Sequence, residues 1–204
     1  MNREDYKKAI FAVRDIMVKN RDYLIELDAR NGDGDLGISM SDGFNGAAVF
    51  LEANEETDLG KRIMGSSKAF NEAAPSSLGT ILTIGMMGMA KALKGLTEAS
   101  TEQVGSALVA GVENIMKKAG SKPGEKTIID SIYPAAQALC KNASLGKKEA
   151  LNEAYKAAKE GLAATKNMLA VHGRAAFYGE KSLGIEDGGA VVGKLIFEAL
   201  YEAF

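Results

Sequence analysis

Apolar residues recur every three or four positions along nearly the whole chain, and that period restricts it to helices packed stripe against stripe. From Thr101 onward, Val104, Ala107, Leu108, Gly111, Val112 and Ile115 trace one such stripe. Strand signals are missing: alanine and leucine dominate, and no run alternates β-branched or aromatic residues with polar ones. The period predicts helices near 3–19, 20–29, 39–54, 60–72, 78–94, 101–118, 125–142, 148–170 and 187–203. Ser100-Thr101-Glu102-Gln103 supplies a capping start for one of them. The expected fold class is all-α. With 204 residues the chain can bury a core without staples, as a single domain over 1–204 with no linker.

Charge narrows the partners. Lys and Arg number 25 against 27 Asp and Glu, a net charge of −2, which offers no basic field for nucleic acid or an anionic membrane. Met1-Asn2-Arg3-Glu4-Asp5-Tyr6 leads into an amphipathic helix, and nowhere do 18 apolar residues run uninterrupted. The expectation is a soluble, cytoplasmic protein. The single cysteine, Cys140, cannot form an internal disulfide and lies in an apolar helical stretch where a thiol packs. Gly85-Met86-Met87-Gly88-Met89 reads as core filler, since methionines at helical spacing fill irregular gaps.

Glycine-bearing loops interrupt the helices at residues 32–37, 74–80, 120–124 and 173–189. If the helices run up and down, loops separated by an even number of helices share one end, so several can converge. The first loop carries the densest chemistry: Asp28, Asp33 and Asp35 place three carboxylates within eight residues, spaced by glycines. Asp28 closes a helix, Asp33 and Asp35 sit on the loop, and the glycines let it curl until the side chains share a centre. Oxygen-only ligands with room for water and phosphate suit Mg²⁺. A solvated Asp-rich turn is the plain alternative. A calcium loop would use Asn31, Asp33 and Asp35, but puts Leu36 where the sharp-turn glycine belongs and Asp42 where a bidentate Glu belongs. Gly32, Gly34 and Gly37 spell a dinucleotide fingerprint, which has meaning only after a strand, and here a helix precedes.

The other loops are weaker alone. Ala74-Pro75-Ser76-Ser77-Leu78-Gly79-Thr80 precedes a helix, where hydroxyls and free amides either bind an anion or simply cap. Gly120-Ser121-Lys122-Pro123-Gly124-Glu125-Lys126-Thr127 fails as a P-loop, lacking the Gly-Lys-Ser/Thr order and a preceding strand. The segment from Gly173 to Gly189 reads as a structured loop over one end of the bundle. Its Arg174 can chelate two phosphate oxygens or, more blandly, interact with helix-end carbonyls. His172, the sole histidine, has no partner at defined spacing and reads as structural.

Taken in order, Leu27-Asp28 through Gly37 with Met40 and Gly43-Phe44, then Pro123-Gly124-Glu125-Lys126-Thr127-Ile128-Ile129-Asp130, then Gly173-Arg174 through Ala190, resemble the nucleotide-binding L subunit of dihydroxyacetone kinases. The Gly79-Thr80 loop is a fourth, looser match. The resemblance implies a barrel of eight antiparallel helices holding ADP or ATP at one end through two Mg²⁺ ions. It places the metal on Asp28, Asp33 and Asp35, with Arg174 joining them in catalysis. Nucleotide contacts fall on Leu36, Gly37, Ile38, Ser39, Met40, Ala74, Ser76, Ser77, Thr80, Gly120, Ile129, Arg174, Asp187, Gly188 and Gly189. By the same resemblance the L subunit binds no sugar. It delivers a γ-phosphoryl group to dihydroxyacetone, or a related short ketose or tetrose, on a separate K subunit, whose sugar domain this chain is too short to include. One branch of that family retains ADP and rephosphorylates it from a phosphohistidine protein of the phosphotransferase system; the other exchanges ATP. A homodimer stays open. A regulatory nucleotide-binding module and a metal-dependent phosphatase are the competing functions.

The chain departs from the family pattern where the phosphates would lie. Leu36 stands for a histidine, Ser39 for the next polar contact, usually Asn, and Gly188 for a proline. Ala73-Ala74-Pro75-Ser76-Ser77 replaces a glycine-rich Ser loop, and Pro75 removes a backbone donor.

Overall fold

The computed structural model describes residues 1–30 and 32–204. Among them are nine α-helices and no strand: α1 (Arg3–Lys19), α2 (Arg21–Asp28), α3 (Leu36–Ala53), α4 (Leu59–Ala73), α5 (Ser77–Ala92), α6 (Thr101–Ala119), α7 (Ile129–Lys141), α8 (Lys147–Ala164) and α9 (Gly188–Ala203). Side-chain caps fix several starts. Asn2 with Asp5 and Ser100 with Gln103 form capping boxes on α1 and α6. Asp58, Ser76 and Asp187 cap α4, α5 and α9 by accepting a backbone amide.

Eight long helices close a ring. α1 packs on α3, each helix from α3 to α8 packs on the next, and α9 returns to α1; the two-turn α2 lies mainly against α3. The ends show that neighbours run antiparallel. Arg3 pairs with Glu55 beyond the end of α3, Gly95 N–H donates to Asp58 before α4, the Met1 ammonium meets the Ala99 carbonyl before α6, and Lys147 of α8 reaches Asp5. All these contacts lie at one end, so the connections 28–36, 73–77, 119–129 and 164–188 gather at the other. Met17, Met40, Leu51, Ile63, Phe70, Ile115, Ile129 and Phe197 fill the interior and are essentially inaccessible. The Phe44 and Phe70 rings meet edge to face at 4.9 Å. None of the described helices is long and apolar enough to cross a membrane.

Three boundaries differ from the periodic reading by three residues or more, the last two for a polar reason. α3 starts at Leu36, so Leu36–Ser39 form its first turn. α7 starts at Ile129, because the Asp130 carboxylate accepts the amides of Gly124 (2.5 Å) and Thr127 (2.7 Å) and folds the preceding residues into a turn. α8 stops at Ala164, where the Thr165 carbonyl accepts a bond from Lys126 Nζ and the chain turns into 3-10 geometry. Met86 and Met89 pack on the core as expected, whereas Met87 faces solvent. Cys140 is half-buried, its Sγ 3.5 Å from Ser106 Oγ.

Candidate functional site

Asp28 is the last residue of α2, and Asp33 and Asp35 lie in the connection to α3. The loop curls because Asp28 Oδ2 accepts the amides of Gly34 (2.8 Å) and Asp35 (3.2 Å). Gly34 has φ +77°, which only glycine adopts cheaply, and a Cβ at Gly32 would overlap the Asp28 carboxylate. One carboxylate oxygen from each of Asp28, Asp33 and Asp35 lies within 4.8 Å of the others. Asn31, the first position of a calcium-loop reading, lies outside the described residues.

Crowding leaves this cluster short of positive charge. Burial, then the charges of Asp33 and Asp28, hold the Asp35 carboxyl above its ordinary range. Arg174 offsets part of it, with Nη2 2.7 Å from Asp33 Oδ2. Three carboxylates without nitrogen or sulfur donors suit a hard divalent cation, and the excess negative charge is what such an ion would neutralise.

The aspartates open into a cleft of about 500 Å³ at the loop-bearing end of the barrel. Asp28, Asp33, Asp35, Leu36 and Ser39 line one side, Ser76 and Ser77 another, and Arg174, Asp187, Gly188 and Gly189 a third. α3, α5 and α9 therefore begin at the cleft, with their positive dipole ends toward it. The Ser76 hydroxyl already caps α5 by accepting the Gly79 amide at 3.1 Å. Gly188 and Leu36 meet: a Cβ at 188 would stand 2.9 Å from Leu36 Cδ2, so two of the departures from the family pattern occupy one space.

The remaining expected contact residues do not line the cleft. Met40, Ala74 and Ile129 are fully buried among helices. Gly37 lies against the Arg21 carbonyl where α2 crosses α3, and Ile38 faces outward. Thr80 is exposed, its hydroxyl on the Ser76 carbonyl, and Gly120 is the left-handed stop of α6 between the lining residues Ala119 and Ser121.

The cleft is also lined by Ser121, Lys126, Thr127 and His172, none of which the sequence reading assigned to the site. His172 Nε2 lies 2.6 Å from Glu125 Oε2, and that bond, with the Lys122 amide, lowers the Glu125 carboxyl. The partner that the histidine lacked in the sequence comes from 47 residues away. Lys126 is buried, and burial lowers its ammonium against the opposing charge of Asp187.

Asp187 carries a consequence for stability. Burial, then the charge of Asp130, push its carboxyl up to about 6 from 3.8, against the bond from the Ala190 amide and the charge of Lys126. A carboxyl raised on folding binds its proton more tightly in the native state, so its contribution is full below about pH 4 and is lost as pH rises through about 6. Asp187→Asn keeps an acceptor for Ala190 and has no charge to bury. In urea denaturation, the wild type should lose about 2–3 kcal/mol relative to the variant between pH 4 and 7.5. Parallel pH profiles for the two proteins would exclude this origin.

The comparisons bear on this barrel directly. The model of the DAK2 domain matches residues 31–202. The chain is 30% identical to an L-erythrulose 1-kinase of Mycolicibacterium smegmatis over 92% of its length, and 29% identical to an L-erythrulose kinase of Pectobacterium atrosepticum over 94%. It spans about a third of the length of either (33%). Against the ADP-binding subunit DhaL of a PEP-dependent dihydroxyacetone kinase from Listeria innocua it is 30% identical, over 90% of this chain and 88% of that one. The crystal structure of the dihydroxyacetone kinase from C. freundii, in complex with AMP-PNP and Mg²⁺, superposes with a TM-score of 0.76 at 24% identity, covering 97% of this chain and 33% of that one. With residues 31–202 inside the domain model, and a DhaL subunit 30% identical over 90% of this chain and 88% of its own, the chain belongs to the DAK2 domain family.

Proposed function

We propose that this chain is the Mg²⁺-nucleotide-binding unit of a two-component kinase, passing the γ-phosphoryl group of ATP to dihydroxyacetone or a related short ketose or tetrose. The sugar would sit on a separate K-like subunit. The observation that carries this reading is the meeting of Asp28, Asp33 and Asp35 at the mouth of a cleft onto which three helix N-termini and Arg174 also face. The names of the relatives, ADP-binding subunit and erythrulose kinase, support it over a regulatory module or a phosphatase.

In this reading Asp28, Asp33 and Asp35 would hold Mg²⁺, taken as two ions, which would neutralise charge on the phosphoryl oxygens. Arg174, which lines the same cleft, would hold a phosphate oxygen of the nucleotide with its planar guanidinium. The amides opening α3, α5 and α9 take remaining phosphate oxygens. Leu78, Ile81 and Ile128 form the apolar wall available to the base. Transfer then rests on positioning and preorganised charge. The donor is either exchanging ATP or retained ADP recharged by a phosphohistidine protein in the cytoplasm; a homodimer is compatible with both.

The test mixes the chain with the K subunit of a two-component dihydroxyacetone kinase, Mg²⁺, γ-labelled ATP and dihydroxyacetone or erythrulose. Labelled sugar phosphate should form only when both proteins are present. Phosphate release from small esters by this chain alone, with no transfer to sugar, would instead establish the phosphatase.

A further inference from the structure

Lys126 is the only non-glycine residue among those described to hold a left-handed backbone, with φ +59°. The conformation turns its side chain inward, where it is 3% exposed. Nζ donates to the carbonyls of Ser182 (2.6 Å), Ile185 (2.8 Å) and Thr165 (2.9 Å), with the Met168 carbonyl at 3.3 Å. An ammonium has three protons, so three short bonds satisfy it and the fourth oxygen completes a cage. All four carbonyls belong to the connection between α8 and α9.

That connection has little else to hold it. Of residues 165–187 only Thr165, Ala170 and Ser182 are buried, while Leu169, Val171, Phe177, Tyr178 and Leu183 are exposed. Its short 3-10 stretches, Thr165–Asn167 and Arg174–Ser182, are joined by local bonds such as Ala170 N–H to Ser182 Oγ and Gly184 N–H to the Lys166 carbonyl. Its ties to the 119–129 connection are the Lys126 ammonium and two bonds to Glu125, from the Val171 amide (3.3 Å) and from His172. Yet it supplies Arg174, Ala175, Glu186 and Asp187 to the cleft. A segment with so few buried apolar contacts opens locally unless polar bonds restrain it.

We infer that Lys126 is a positioning residue: its ammonium clamps the Thr165–Asp187 segment onto the end of the barrel and so sets Arg174 and Asp187 opposite the aspartates. The carbonyl cage it fills is a cation site in which a free ammonium ion can stand in for the side chain. The inference rests on the proposed nucleotide site for what the clamped residues contact, and on the four bonds alone for the clamp.

The test compares wild type, Lys126→Met and Lys126→Ala by hydrogen exchange and by titration with Mg²⁺-ADP. Losing the charged donor should speed exchange of amides in residues 168–186 by about 10- to 100-fold, leave α1 and α3–α6 unchanged, and weaken Mg²⁺-ADP binding by a similar factor. In Lys126→Ala, added ammonium chloride should restore both readouts, and tetramethylammonium chloride, too large for the cage, should not. Unchanged exchange in both variants, or no response to ammonium, overturns the clamp. So does failure of both variants to fold with ammonium present, because the bond would then hold the barrel as a whole. Faster exchange in the variants with no Mg²⁺-ADP binding even by the wild type would uphold the clamp and remove the nucleotide reading.

Discussion

Asp28→Ala is expected to lose Mg²⁺-dependent ADP binding more completely than Asp33→Ala, by about 100-fold or more relative to the wild type. Asp28 has two tasks. Its carboxylate accepts the Gly34 and Asp35 amides, which gives the loop its curl, and offers the oxygen that completes the cluster. Alanine at 28 removes one of the three carboxylates proposed to hold the ion and also releases Asp33 and Asp35 from a common centre. Asp33 is exposed and paired with Arg174, so its loss removes one carboxylate of the cluster and leaves the loop bonds in place. Asp28→Asn, which keeps an acceptor for both amides at lower charge, should fall between. Calorimetric titration of the three variants orders them; Asp28→Ala binding as tightly as wild type would show that the cluster is an ordinary solvated turn.

The largest loss of stability is expected at a residue with no functional group. Pro134 lies inside α7 and has no N–H, so the Asp130 carbonyl lacks its usual helical partner. α8 comes close at that point through Gly161, where a methyl group would overlap the same carbonyl oxygen. Gly161→Ala therefore pushes α8 from α7 beside the loop end of the barrel. Overpacking against backbone should outweigh the helix-propensity gain of about 1 kcal/mol, for a net loss of about 2–3 kcal/mol and a fall in Tm of roughly 5–10 °C. Thermal unfolding at neutral pH measures it, and an unchanged Tm would mean that the two helices have room to spare.

The ring of helices was legible because each stripe is a local pattern, and the aspartate loop because its three carboxylates and its glycines lie in one short stretch. Ser76, Ser77 and Asp187–Gly189 were reachable for a related reason: each sits where a helix starts. Met40, Ala74 and Ile129 were carried over with neighbours that line the cleft, and spacing alone does not show that their side chains turn into the interior. Gly37 belongs to a helix crossing invisible before α2 and α3 are placed. Lys126 and His172 were opaque for another cause. Their meaning lies in bonds to residues 39 to 59 and 47 positions away, which neither period nor spacing encodes.

The central claim is that the three aspartates hold a divalent ion that in turn holds a nucleotide. Titrating ADP into the purified protein, first with Mg²⁺ and then with EDTA, tests it most directly. The account predicts one ADP per chain with Mg²⁺ and little or no binding once the metal is chelated. Equal affinity in EDTA, or no binding under either condition, would contradict it.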